Sequence, residues 1–76
     1  MKNFSYETTG AIQNSPKNGH MVRVEDDTEN SGGFLIFEWW DGSTGPNVNG
    51  AFDSWADSEA AVFEFFQEAG WKIVWR

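Results

Sequence analysis

The chain has 76 residues, five Lys and Arg against twelve Asp and Glu, a formal net charge of −7 and no cysteine. This length indicates one domain over residues 1–76. Because cysteine is absent, we expect neither a disulfide bond nor a zinc site built from cysteine and histidine. Phosphate groups are bound through Lys and Arg, so the charge argues against direct binding of nucleic acid or of an anionic membrane. No apolar run is long enough for a membrane span, and no secretory signal is visible, so we expect a cytoplasmic domain.

Aromatic side chains are the main source of apolar surface. The chain contains seven Phe, five Trp and one Tyr. Each ring buries roughly 150–250 Å² in a folded domain. A few of them can therefore make a core where many aliphatic side chains would otherwise be needed, and we expect an independently folded domain.

Three segments predict strands in the first half of the chain. Residues 4–9 alternate aromatic and polar side chains, which is typical of a strand with one buried face. Residues 20–25 place Val22 and Val24 on one face. Residues 33–40 are apolar on both faces, which predicts an interior strand that is covered on both sides.

Clusters of Gly, Asn, Ser and Pro predict the turns. They occupy residues 10–19, 27–33 and 41–50. The last of these, the loop at residues 41–50, is long for so small a domain, and long loops are often functional. Its carboxylate and amides match no calcium-binding pattern. The loop is therefore either a plain connector or part of a ligand site.

One helix is predicted over residues 57–69. Asp57 or Ser58 can cap its first turn, although a start at Ser54 is also open. Helical spacing makes a core stripe of four residues: Val62, Phe65, Phe66 and Ala69. Gly70 is suited to end the helix, and Trp71 is placed to fold back on the last turn.

Residues 71–76 predict a final strand, which completes a fold of the α+β class. We expect a small, mostly antiparallel sheet of about four strands in the order β-β-β-α-β, with one helix packed across a face. The order of the strands in the sheet is left open. If the third and fourth strands were adjacent and parallel, the helix would form a right-handed crossover.

Negative charge is segregated in the chain. Residues 24–71 contain no Lys or Arg and eleven acids: Glu25, Asp26, Asp27, Glu29, Glu38, Asp41, Asp53, Asp57, Glu59, Glu64 and Glu68. Glu64 and Glu68 are like charges four residues apart, which costs roughly 0.2–0.5 kcal/mol. Glu68 also lies at the negative end of the helix dipole. Such acids serve either solubility or the docking of a basic partner.

Tryptophan is more abundant than a core of this size requires. Trp39 and Trp40 are adjacent, so in a strand their side chains point to opposite faces. A single helix covers one face of a sheet only. We therefore predict an exposed aromatic patch drawn from Trp39 or Trp40, Trp55 and Trp75, unless loops fold over the second face.

Catalysis is not indicated. The chain has no cysteine, no nucleophile motif and one histidine, His20, which we expect to be an ordinary surface residue. We predict a non-enzymatic module that binds a basic protein partner, as an inhibitor or immunity-type protein, or that forms a homodimer. The predicted partner-binding residues are Glu64, Glu68, Trp39, Trp40 and Asp41. The alternative is a small-ligand binder that uses exposed Trp and the loop at residues 41–50.

Overall fold

The computed structural model describes residues 8–47 and 50–75 and shows an antiparallel sheet with one helix packed on it. The elements in chain order are β1 (Thr9–Ile12), β2 (Met21–Asp27), β3 (Gly33–Trp39), β4 (Phe52–Ala56), α1 (Glu59–Ala69) and β5 (Ile73–Trp75). The strands lie in the order β4-β3-β2-β1-β5. The predicted α+β class is confirmed, with five strands instead of about four.

The first four strands form a meander of antiparallel neighbours, and α1 then carries the chain from the β4 edge to the opposite edge of the sheet. There β5 pairs with β1 in the register Gly10↔Trp75 and Ile12↔Ile73. A Cβ at Gly10 would lie only 2.8 Å from the Trp75 ring, so the glycine permits this close approach. No crossover between adjacent parallel strands is formed.

The strand β4 is not predicted from the sequence, in which residues 52 and 53 have no assignment and residues 54–56 fall within the possible earlier start of the helix. Its alternation is weak, because Phe52 and Ala56 share one face with Ser54 between them, whereas Trp55 shares the other face with Asp53. Its extended form depends on pairing with β3, in which Leu35 lies opposite Trp55. Local patterning cannot show such a pairing.

The strand β1 also differs from the prediction. It spans Thr9–Ile12, whereas the sequence predicts a strand that ends at residue 9 and a turn from residue 10 onward. Pairing with two neighbouring strands keeps these residues extended. Most of the predicted first strand, residues 4–7, lies outside the described residues. The interior position predicted for β3 is confirmed, since it pairs with β2 and β4.

The core lies between α1 and one face of the sheet. Its buried members are Ile12, Val22, Val24, Phe34, Ile36, Ala56, Val62 and Phe66. From the predicted helical stripe, Val62 and Phe66 are buried and Phe65 is half-buried, whereas Ala69 is exposed. Trp71 packs beside the last turn instead, with its ring centroid 5.6 Å from that of Phe65.

Both helix ends carry caps. Ser58, one of the two predicted caps, accepts a hydrogen bond on its Oγ from the Ala61 amide at 3.1 Å. At the other end Gly70 has φ 71°, and its amide donates to the carbonyls of Phe66 and Gln67. The left-handed conformation closes the helix and turns the chain toward β5.

We expect Gly70→Ala to lower the free energy of unfolding by about 1 kcal/mol, because a Cβ is disfavoured at positive φ. The space around Gly70 is open, since among the described residues no atom beyond Gly70 and its two chain neighbours lies within 4 Å of the site of a Cβ, so clashes with other parts of the fold add nothing. Guanidinium unfolding followed by tryptophan fluorescence measures the change. Gly70→Asn is the matched control and should cost less; equal losses would show that the left-handed cap is not the cause.

Candidate functional site

The two faces of the sheet have different surroundings. Residues directly opposite each other in paired strands share a face, so Val22 and Val24 lie with Ile36 on the face that α1 covers. The same pairings place on the second face Met21, Arg23, Glu25, Leu35, Phe37, Trp39, Asp53 and Trp55. We call these eight residues the open face. Within the described residues, no helix or strand packs on it.

Burial follows this division along β3. Phe34 and Ile36 point to α1 and are buried, and Ile36 is 1% exposed. Leu35, Phe37 and Trp39 alternate with them and are only half-buried. The predicted covering of this strand on both sides is therefore wrong for the described chain, because the single helix lies on one side.

The adjacent tryptophans lie on opposite faces, as predicted. Trp39 is on the open face, opposite Met21. Trp40 packs on the other side, where its ring is stacked on Phe52 with centroids 5.3 Å apart and where Lys17 Nζ lies 3.8 Å from its centroid. Trp39, and not Trp40, thus belongs to the open face.

Trp55 is the most exposed ring of the described chain, with 52% of its surface accessible. Its ring lies against Gly33, where a Cβ would come within 2.6 Å of the ring atoms, and its Nε1 donates to Ser31 Oγ at 2.9 Å. These contacts hold the exposed indole in one position, which reduces the entropy lost on binding. Trp75, also a candidate for the exposed patch, is half-buried and packs on the helix side against Phe66.

A groove of about 470 Å³ crosses the open face next to the loop at residues 41–50. It is lined by Thr9, Arg23, Glu25, Phe37, Trp39, Asn47 and Ala51. Arg23 Nε donates to Glu25 Oε2 at 3.1 Å within it. The loop closes on itself, since the Gly45 amide donates to the Gly50 carbonyl at 2.8 Å. The fold thus brings Trp39 and this loop together, as the small-ligand alternative requires.

The predicted partner-binding acids lie elsewhere. Glu64 and Glu68 are exposed on α1, which packs on the other face of the sheet. Asp41 is exposed next to Gly19, beyond the end of β3. The structure therefore does not join the five predicted residues in one surface, and it adds Asp53, an exposed acid of the open face.

His20 is not the surface residue that the sequence suggests, since it is 5% exposed. Its Nε2 lies 2.7 Å from Glu38 Oε2 and its Nδ1 2.7 Å from Ser15 Oγ. A carboxylate only accepts, so Nε2 carries a hydrogen. The rings of Trp40 and Trp71 meet the imidazole edge to face. The missed signal is the partner Glu38, the one acid within a strand that is otherwise apolar.

Ser15, His20 and Glu38 are the same residue types as the catalytic triad of a serine hydrolase, but the two imidazole nitrogens have the opposite partners. In such enzymes the serine bonds to Nε2 and the carboxylate to Nδ1. Here the buried ring joins the β1–β2 connection to β3. Asn14 of the same connection donates to the Gly70 carbonyl at 2.7 Å and accepts from the Lys72 amide at 2.8 Å. The arrangement therefore acts as a structural tie between β1, β3 and the end of α1.

Comparison of the chain with known proteins identifies no similar protein, since no family model, curated protein or solved structure matches it. Within residues 8–47 and 50–75, no three acidic or histidine side chains are grouped so as to hold a metal ion. The helix of the same residues lacks the length and apolar character needed to cross a membrane.

We expect Glu38→Leu to lower the free energy of unfolding by about 2 kcal/mol, because it removes the acceptor of a buried imidazole N–H. Glu38→Gln should cost less than half of this, since its amide oxygen can still accept. Urea unfolding followed by far-UV circular dichroism measures both. Equal costs for the two variants would contradict the stabilising role of the His20–Glu38 hydrogen bond.

Proposed function

We propose that this chain is a non-enzymatic interaction module that binds a basic surface of another protein through the open face. The observation that carries the proposal is the row of half-exposed and exposed apolar side chains on this face, in a chain with a net charge of −7. The two properties together select the chemistry of the partner.

The apolar part of the open face suits a protein contact. Leu35, Phe37 and Trp39 succeed one another along β3, and Trp55 lies opposite Leu35 on β4. They belong to a sheet, so their backbone is held by hydrogen bonds on both sides of β3. Rigid aromatic side chains of this kind supply most of the binding energy in many protein interfaces.

The charge on this face argues for a basic partner. Asp53 is exposed, and Arg23 is already paired with Glu25. The remaining acids of residues 24–71 contribute a field of the same sign, including Glu64 and Glu68 on α1. Such a field speeds the approach of a positively charged partner. A protein of this kind would act as an inhibitor or immunity-type module that covers a basic site.

A second copy of the chain fits this face less well. Each copy carries a net charge of −7, so stacking two open faces brings like charges together. Repulsion of this kind opposes association, most strongly at low salt. Electrostatics therefore favours a basic protein over a homodimer, while the apolar side chains alone would suit either.

The groove supports a second candidate, the binding of a small ligand. Its volume of about 470 Å³ lies within the range of small-molecule sites, and Trp39 and Phe37 line it. A ligand seated there would change the fluorescence of Trp39. A protein partner would instead cover the whole face, including Trp55, which does not line the groove.

To test the proposal, a photoreactive benzoylphenylalanine replaces Phe37 on the open face or, as a matched control, Phe63 on α1. In the host cell we expect crosslinks to one other protein from position 37 and none from position 63. With that protein purified, Trp39→Ala should weaken binding about thirtyfold, as at a buried aromatic anchor. The affinity should also fall as the salt concentration rises.

Three outcomes would contradict the proposal. Crosslinks from position 63 alone would place the contact on α1. Crosslinks only between copies of the chain, together with a dimer in sedimentation, would replace the basic partner by self-association. An affinity that ignores both salt and Trp39→Ala would remove the argument from charge and the argument from the aromatic face.

A further inference from the structure

We infer that the partner adds a β-strand to the sheet along the free edge of β4, and that this strand is basic and apolar in alternation. The inference rests on the proposed function and specifies how the partner is held. Strand addition is a common way in which an exposed sheet edge binds an extended segment.

The strand β4 is an edge of the sheet. It pairs with β3 in the register Phe34↔Ala56 to Glu38↔Phe52, and no other described strand pairs with it. Its five residues offer main-chain donors and acceptors on the side away from β3. The opposite edge, β5, has only three residues.

The exposed apolar side chains of the described chain are concentrated at the edges. The three large ones are Phe52 at 39%, Trp55 at 52% and Val74 at 54% exposed, of which two belong to β4. Phe52 lies on the helix side, against Trp40, and Trp55 lies on the open face. A strand added next to β4 would therefore meet a ring on each of its faces.

Most of the usual protections of an edge strand are missing from β4. Exposed edges are commonly blocked by Lys, by Pro or by a bulge, and residues 52–56 contain neither Lys nor Pro and pair with β3 in continuous register. The one charged residue in this strand is Asp53, which is exposed. An acid repels the acidic edge of a second copy but attracts a basic strand.

Pairing rules give the chemistry of the added strand. Residues directly opposite each other across neighbouring strands share a face and interact. A Lys or Arg opposite Asp53 would gain an ion pair, and an apolar residue opposite Phe52 would cover its ring. Because these two residues lie on opposite faces, the partner segment alternates between basic and apolar side chains.

The probe for this inference is a short peptide of alternating Val and Lys with acetyl and amide ends, titrated into the ¹⁵N-labelled chain. We expect amide shifts and slowed hydrogen exchange to centre on residues 52–56. Two further peptides carry N-methyl groups on all Val or on all Lys residues. Alternate amides of a strand point to the same side, so one methylated peptide should lose at least about tenfold in affinity and the other little.

A charge-matched pair of variants tests the side-chain contact. Asp53→Lys and Asp57→Lys change the net charge equally, and both positions are exposed, but only Asp53 lies in β4. We expect Asp53→Lys to weaken the peptide more than about fivefold beyond the effect of Asp57→Lys. Circular dichroism of both variants confirms that the fold is retained.

Equal binding of all three peptides, equal effects of the two variants, or shifts centred away from β4 would overturn the inference. Protected β4 amides in the free chain at high concentration, together with a dimer in sedimentation, would assign the edge to a second copy. The proposed function has a separate readout, since crosslinking at position 37 reports contact with the middle of the open face. Crosslinks there without peptide pairing at β4 would reject strand addition alone.

Discussion

The structure depends on one geometric constraint: a single helix of eleven residues covers one face of a five-stranded sheet. Val62 and Phe66 of α1 pack on one face and complete the buried core. The other face keeps large apolar side chains that α1 cannot reach. Within residues 8–47 and 50–75 no helix or strand covers them, so Leu35, Phe37 and Trp39 are only half-buried and Trp55 is exposed.

A second constraint fixes how α1 sits on the sheet. The chain must pass from β4 at one edge to β5 at the other, and the contacts at the far corner hold it there. His20 joins Ser15 to Glu38, and Asn14 joins the β1–β2 connection to Gly70 and Lys72. With these hydrogen bonds, a polar corner stabilises the packing of the apolar core. These hydrogen bonds involve no residue of the open face or of β4.

The apolar and charged side chains on which the proposed function rests lie outside the core and outside the polar corner. Apolar side chains that are not needed by the core lie on the open face and on β4, where Asp53 is exposed and the one base of the open face, Arg23, is paired with Glu25. In the proposed function, the apolar side chains would supply affinity, and a field of one sign would favour a basic partner and speed its approach. In the same proposal, the net negative charge that every copy carries argues against self-association.

Several features follow from the sequence by itself: the α+β class, the helix with its Ser58 and Gly70 ends, the interior position of β3 and the placement of Trp39 and Trp40 on opposite faces. They are local, because they depend on spacing and on caps within a few residues. The tertiary structure alone decides that residues 52–56 form an edge strand, that His20 is buried against Glu38, and that Glu64 and Glu68 lie apart from Trp39. These features depend on pairings between residues distant in the chain, such as Leu35 with Trp55, which no local pattern encodes.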